Sequence, residues 1–225
     1  LRKREVAEGR LSSNPNVKYF SALNDITAAD VWGLGEVLTT LIDNPNACPT
    51  TAKLSVAGAR MLSEGKAFRR KFKADPTTGY NAPHVEAAPS QVLLVDLDGI
   101  TVEDNMWRDD LAAFARDTVC QLLPPRFHNV TLSASLSASA GIKRSGDKYV
   151  VGLHVVFVTD RSLDGEQRKA LVELDAPMPS EVSGTLDSST LRCSQMYFTA
   201  RPQFLKSDPA PLRAAMVAGK SDLDQ

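Results

Sequence analysis

Two aspartates separated by one residue end an apolar run, Val92-Leu93-Leu94-Val95-Asp96-Leu97-Asp98-Gly99. Strand side chains alternate between faces, so Asp96 and Asp98 leave one face while Val95 and Leu97 leave the other. Two carboxylates on one face are available to a pair of divalent cations, and coordination offsets the cost of taking a carboxylate out of water. The alternative is a strand end whose acids simply reach water. A second candidate, His154, is the only polar side chain in Val150-Val151-Gly152-Leu153-His154-Val155-Val156-Phe157. It is either a core histidine satisfied by a hydrogen bond or, with Gly152 clearing space beside it, an imidazole that holds a phosphate oxygen. Asp187, in Gly184-Thr185-Leu186-Asp187-Ser188-Ser189-Thr190, is a turn cap by its local context and a third carboxylate by the company it keeps. Three carboxylates, a histidine and nearby cations are the parts needed to hold two metals and a triphosphate for in-line displacement at phosphorus.

Several elements must position these residues. The first 20 residues mix Arg2, Lys3, Arg4 and Arg10 with Glu5 and Glu8 and carry no apolar period, which reads as a flexible or surface-lying arm. Thr27 and Asp30 resemble a capping arrangement before Val31, Leu34, Leu38, Leu41 and Ile42, whose spacing predicts an amphipathic helix ended by Asn44-Pro45. A second short helix is expected from Ala52 to Leu62, followed by the densest basic stretch, Lys66, Arg69, Arg70, Lys71 and Lys73 interleaved with Phe68 and Phe72. After a loop from Asp75 to Pro83 comes the Asp96 strand, then a helix with Trp107, Leu111, Phe114, Thr118 and Leu122 on one face, stopped by Pro124-Pro125. Val130 to Ser139 alternates apolar and hydroxyl residues, which is a strand with Ser133, Ser135, Ser137 and Ser139 on one side. The turn Lys143-Arg144-Ser145-Gly146-Asp147-Lys148 leads to a strand from Tyr149 to Val158, a helix from Gly165 to Leu174 and a final strand near Gln195 to Thr199.

From Val92 onward this order is strand, helix, strand, strand, helix, strand. It predicts an α+β fold of the split βαβ type, the RRM or ferredoxin-like antiparallel sheet, with its helices on one face, the other face free for a site, and an N-terminal helical lobe. Residues 1–88 are expected to form the arm and a helical accessory region packed on the core, 89–205 the core, and 206–225 a helical and polar tail.

Composition narrows the function classes. At 225 residues with 43% hydrophobic and 24% charged side chains, the chain can bury a core without disulfide staples. A formal net charge of -1 carries no global polyanion-binding signal, so nucleic-acid contacts must come from local patches. Cys48, Cys120 and Cys193 lack metal-ribbon or framework spacing, which favours a reducing compartment. No apolar run approaches the roughly 18 residues of a membrane span and no signal peptide is visible, so an intracellular, cytoplasmic protein is expected. Opening at Leu1 and closing on Lys220-Ser221-Asp222-Leu223-Asp224-Gln225, the chain reads as a piece of something longer.

These motifs, in this order, resemble the archaeo-eukaryotic primase superfamily, the primase-polymerases, of the plasmid and phage replication type. Its first motif is an apolar strand ending in D-x-D, matched by Val95-Asp96-Leu97-Asp98. Its second is a small residue, a spacer and a histidine, matched by Gly152-Leu153-His154, although the family often has serine where Gly152 stands. Its third is an apolar residue and an aspartate, for which Leu186-Asp187 is preferred over Leu174-Asp175 because Arg192 and Tyr197 to Pro202 resemble the family's following segment. The resemblance implies a DNA primase in which Asp96, Asp98 and Asp187 hold two Mg2+ or Mn2+ ions for template-directed nucleotidyl transfer. It further implies that His154, Ser137, Ser139 and Arg192 contact the incoming nucleoside triphosphate. Single-stranded DNA template would run past Arg69, Arg70, Lys71, Lys143 and Arg144, with a replicative helicase domain or protein as a further partner. No G-x-x-x-x-G-K-[ST] loop occurs, so a helicase motor would lie in another segment.

Two other readings compete. Leu94-Val95-Asp96-Leu97-Asp98-Gly99-Ile100-Thr101 also looks like the first motif of haloacid-dehalogenase-type phosphatases, with Asp96 as nucleophile and Asp98 as general acid. That family needs a parallel sheet with repeated crossovers, which the downstream order does not offer. A non-catalytic single-strand-binding module would share the sheet, but Val150 to Phe157 lacks the exposed aromatics such sheets display.

Overall fold

The computed structural model describes residues 4–6, 10–12, 19–21, 23, 28, 30–44, 47–69, 82–103, 105–173, 184–192, 208, 210 and 212–220. Within it every residue from 151 to 157 is buried, as a near-continuous run of Val, Leu and Phe must be if it forms a central strand covered on both faces.

In chain order the first elements are β1 (Arg4–Val6), β2 (Arg10–Ser12), β3 (Tyr19–Phe20), α1 (Val31–Ile42), β4 (Ala52–Leu54), α2 (Val56–Ser63), β5 (Phe68–Arg69) and β6 (Val85–Ala87). Then come β7 (Ser90–Val102), α3 (Met106–Asp109), α4 (Leu111–Leu122), β8 (Leu132–Leu136), β9 (Lys143–Ser145), β10 (Lys148–Leu163), α5 (Gly165–Glu173), β11 (Thr185–Leu186) and β12 (Ala214–Val217). The class is α+β. The main sheet runs β11-β7-β10-β8-β12 with β9 folded onto β10 as a hairpin, and every ladder in it is antiparallel. Three small antiparallel ladders, β1-β2, β3-β5 and β4-β6, lie outside it.

The pleat sends alternate residues to two apolar layers. On one face Leu93, Val95 and Leu97 of β7, Leu153, Val155 and Phe157 of β10, and Leu132, Ala134 and Leu136 of β8 join Trp107, Leu111, Phe114, Val119, Leu171 and Val172 from the helical side. Burying each such large side chain contributes about 1.5–3 kcal/mol, so this layer is the main source of stability. On the other face Leu94 and Val156 pack under Leu34 and Leu38 of α1.

Several expectations need correction. The second face is not left free: α1 covers its Leu94 and Val156 end, and only the end bearing the aspartates lies beyond that helix. The cap of α1 is Asp30, whose carboxylate accepts the Gly33 amide at 2.8 Å, and Thr27 lies outside the described residues. Residues 52–62 are not one helix: Ala52–Leu54 pairs with β6, and Ser55 caps α2 through the Gly58 amide. The helix after β7 breaks at Asp110, whose side chain accepts from Ala113 N at 3.0 Å and starts α4. The arm is not without regular structure, since β1, β2 and β3 are strands. In the last segment, among the described residues, Ala214–Val217 is a strand rather than a helix and covers the edge of β8, an edge that would otherwise expose unpaired backbone groups. The strand expected near Gln195 to Thr199 lies outside the described residues, and β11 occupies the far edge of the sheet.

Candidate active site on the sheet face

Strand register assembles the candidate residues. His154 of β10 pairs with Asp96 of β7 on one side and with Ser135 of β8 on the other. Leu186 pairs with Leu97, and the Asp187 amide donates to the Asp96 carbonyl at 2.9 Å, so Asp187 stands beside Asp96 at the next step of the ladder. Cross-strand neighbours project to the same side of a sheet. Asp96, His154 and Ser135 therefore form one row across three strands, on the face opposite the main core, and Asp187 follows β11 directly, its backbone bonded beside Asp96.

A second row lies one step further along β7. Between the pairs Leu97/Leu153 and Ile100/Val151, Asp98 and Gly99 of β7 stand against the single residue Gly152. This is a β-bulge, and Gly99 adopts φ 73°, a left-handed conformation suited to glycine. A Cβ built on Gly152 would lie 2.7 Å from Asp98 Oδ1 and 2.6 Å from Ser137 Oγ. The two oxygens thus fill the space that a side chain at 152 would take. Ser137 Oγ also lies 3.2 Å from Ser139 Oγ. The hydroxyl that the resemblance expects at position 152 is absent there, and Ser137 delivers one to the same spot from the neighbouring strand.

The electrostatics of the first row are unbalanced. The Asp96 and His154 side chains are only 16% and 11% exposed, and His154 Nε2 sits 3.5 Å from Asp96 Oδ1, longer than a hydrogen bond. Among the described residues, Asp96 Oδ1 and His154 Nδ1 are both buried without a hydrogen-bond partner. Each such atom costs about 1–3 kcal/mol relative to a satisfied one. Both atoms are open to a further hydrogen-bond partner, and Nδ1 lacks the bond that a satisfied core histidine would make. Asp187 has a local task as well: its Oδ1 accepts from Ser189 N at 2.9 Å and caps the 3-10 turn Ser188–Leu191.

The donor set suits a hard divalent cation in kind, because it offers carboxylate oxygens, one of them buried and unpartnered. Among the described residues, however, no three His, Cys, Asp or Glu side chains are gathered closely enough to hold one ion. The bulge accounts for part of this, turning Asp98 toward Gly152 and Ser137.

Other expected residues lie elsewhere. Arg192 is exposed at the end of the Ser188–Leu191 turn. Lys143 and Arg144 sit on β9, paired with Val150 and Tyr149, and Arg69 sits on β5. Arg70, Lys71 and the rival carboxylate Asp175 lie outside the described residues. Two contributors were not foreseen. Ser135, opposite His154, follows from the same alternation that singled out Ser137 and Ser139. The pair Asp208 and Arg213, which reaches Ser137 from the C-terminal segment, leaves no local pattern in the sequence. No helix among the described residues is long and apolar enough to cross a membrane. Comparison with protein-family models, with curated proteins and with solved structures gave no match for this chain.

Proposed function

We propose that this protein is a DNA primase or primase-polymerase, a nucleotidyltransferase that makes primers on single-stranded DNA from nucleoside triphosphates. The observation that carries the reading is the pair Asp96 and His154 on one sheet face, with Asp96 Oδ1 buried and lacking a hydrogen bond and the Asp187 backbone bonded beside it. The antiparallel strand order, with β7 and β10 central and a helix on each crossover, supports the split βαβ form of the core.

Asp96, Asp98 and Asp187 would hold Mg2+ or Mn2+, which when bound supply Lewis-acid activation of the primer 3′-hydroxyl and charge neutralisation at the departing pyrophosphate. The protein's own groups do the rest. His154 donates to a phosphate oxygen of the incoming nucleotide, satisfying a buried ring nitrogen that otherwise lacks a hydrogen bond. The hydroxyls of Ser137 and Ser139 orient the triphosphate, and Arg192 adds positive charge from the turn behind Asp187. Arg69, Arg70, Lys71, Lys143 and Arg144 follow the template backbone. A replicative helicase domain or protein would work beside this core in an intracellular replication context.

The phosphatase alternative draws no support from a sheet whose ladders are antiparallel, since its motif belongs to a parallel one. A non-catalytic single-strand-binding module is disfavoured electrostatically. Carboxylates on the open face repel phosphates unless cations intervene. The test is synthesis of short oligonucleotides by purified protein supplied with single-stranded template, nucleotides and Mn2+. Synthesis is expected from the native chain and abolished in a folded Asp96→Ala protein; retained synthesis by folded Asp96→Ala/Asp98→Ala sinks the assignment, and a phosphorylated Asp96 formed from small phosphate esters favours the phosphatase.

A further inference from the structure

The Ser137 corner is fastened from a segment of the chain far away in sequence. Its amide donates to Gly152 O at 2.8 Å, which ties it to β10. Its carbonyl accepts from Arg213 Nη1 at 3.1 Å. The preceding residue is held too, since Leu136 N donates to Arg213 O at 2.9 Å. The Arg213 guanidinium is in turn gripped by Asp208, through Nε to Oδ2 at 3.1 Å and Nη2 to Oδ1. The Arg213 side chain is 2% exposed and that of Asp208 15%.

A buried guanidinium is costly to desolvate, and a planar, two-pronged carboxylate contact fixes its orientation as well as its charge. The third prong ends on the Ser137 carbonyl, whose residue presents its hydroxyl toward Gly152 and Asp98. The pair therefore does more than tie down the C-terminal segment. It sets where one oxygen of the site can be.

We propose that Arg213, oriented by Asp208, is a positioning residue for the nucleotide-binding edge of the site, so that β12 and the segment before it belong to the catalytic unit. The proposal rests on the nucleotidyltransferase reading for its ligand, the nucleoside triphosphate, but the geometry it asserts at Ser137 can be read without any activity.

The experiment compares the full chain with Arg213→Gln, Arg213→Lys and Asp208→Asn. Steady-state kinetics with Mn2+ and a nucleoside triphosphate should show KM raised about 10- to 100-fold in Arg213→Gln, the worth of one charge-assisted hydrogen bond, with kcat nearly unchanged. Arg213→Lys should recover part of the loss. A folded Arg213→Gln protein with native KM overturns the proposal, and so does a fall in kcat alone. Should Arg213→Gln fail to fold, the cycle of Asp208→Asn with Ser137→Ala decides: the KM effect of Asp208→Asn vanishes in the Ser137→Ala background if it acts through Ser137, and simple additivity overturns the claim. Amide exchange at Ser137, measured by NMR, keeps the two readings separable. Exchange about tenfold or more faster in Arg213→Gln or Asp208→Asn supports the positioning role even if the native chain proves unable to join nucleotides, and unchanged exchange refutes it.

Discussion

Replacing Gly152 by alanine separates the site from the fold. The added Cβ would lie 2.6 Å from Ser137 Oγ and 2.7 Å from Asp98 Oδ1, whereas ordinary contact begins at 3.4 Å, so the oxygens must retreat by 0.8 and 0.7 Å. Crowding of this kind costs about 1–3 kcal/mol in a rigid core. Here the crowded atoms are side-chain ends, and loss of glycine freedom in the unfolded chain returns about 0.4–1 kcal/mol. The net destabilisation is then about 0–2.6 kcal/mol, a fall in Tm of at most about 10 °C for a chain of this size. Catalysis has no such slack, because a displacement near 1 Å of a group that must meet the reacting atoms costs about 100-fold in rate. Primer synthesis on single-stranded DNA, run beside a thermal melt, should show kcat/KM down by that factor with the melt nearly native. The double variant Gly152→Ala/Ser137→Ala should regain part of the lost Tm, because one of the two crowded oxygens is gone. A folded Gly152→Ala protein with native kcat/KM would refute the placement of Asp98 in the site.

His154→Leu keeps the side-chain volume and removes the unpartnered Nδ1, so Tm should hold or rise while the nucleotide KM climbs about 10- to 100-fold; a fall in Tm beyond about 10 °C would mark a structural histidine instead. Arg168 is 1% exposed and donates to Thr51 Oγ1 and the Ser90 carbonyl, so Arg168→Met should lower the unfolding free energy in urea by about 1–3 kcal/mol, and a native value would contradict a structural role for these bonds. Burial holds the His84 imidazole below its ordinary value of 6.5, so the unfolded chain takes up a proton first as pH falls. His84 should therefore lower stability progressively as pH drops below 6.5 toward its folded value, a slope seen in urea melts from pH 7.5 to 5 and reduced in His84→Gln.

The legible parts of this molecule are those written in local periodicity. Val31 to Ile42 repeats at helical spacing and folds as α1; residues 151–157 are apolar throughout and become the central strand. The row of Asp96 and His154 was approachable because each is the polar exception in an apolar strand. What local pattern could not supply is register. The bulge at Asp98 and Gly99, which brings Asp98 over Gly152, depends on how β7 meets β10, and a two-residue strand such as β11 is too short to show a period. Residues 52–62 look like one helix in sequence because Ala52–Leu54 can continue a helical pattern until its partner β6 claims it. The face expected to be open was partly closed by α1, a contact between segments about 60 residues apart that single-segment amphipathicity leaves undirected. Likewise β12 and the Arg213 bracket have meaning only once the edge of β8 exists.

A crystal of the full chain soaked with Mn2+ and a nucleoside triphosphate, measured at the manganese edge, reads the proposed metal and nucleotide site in one experiment. Anomalous peaks bonded to the carboxylates of Asp96, Asp98 and Asp187, with the triphosphate beside His154, are expected. Peaks confined to other surfaces, or a triphosphate bound away from this face, would refute the proposed site.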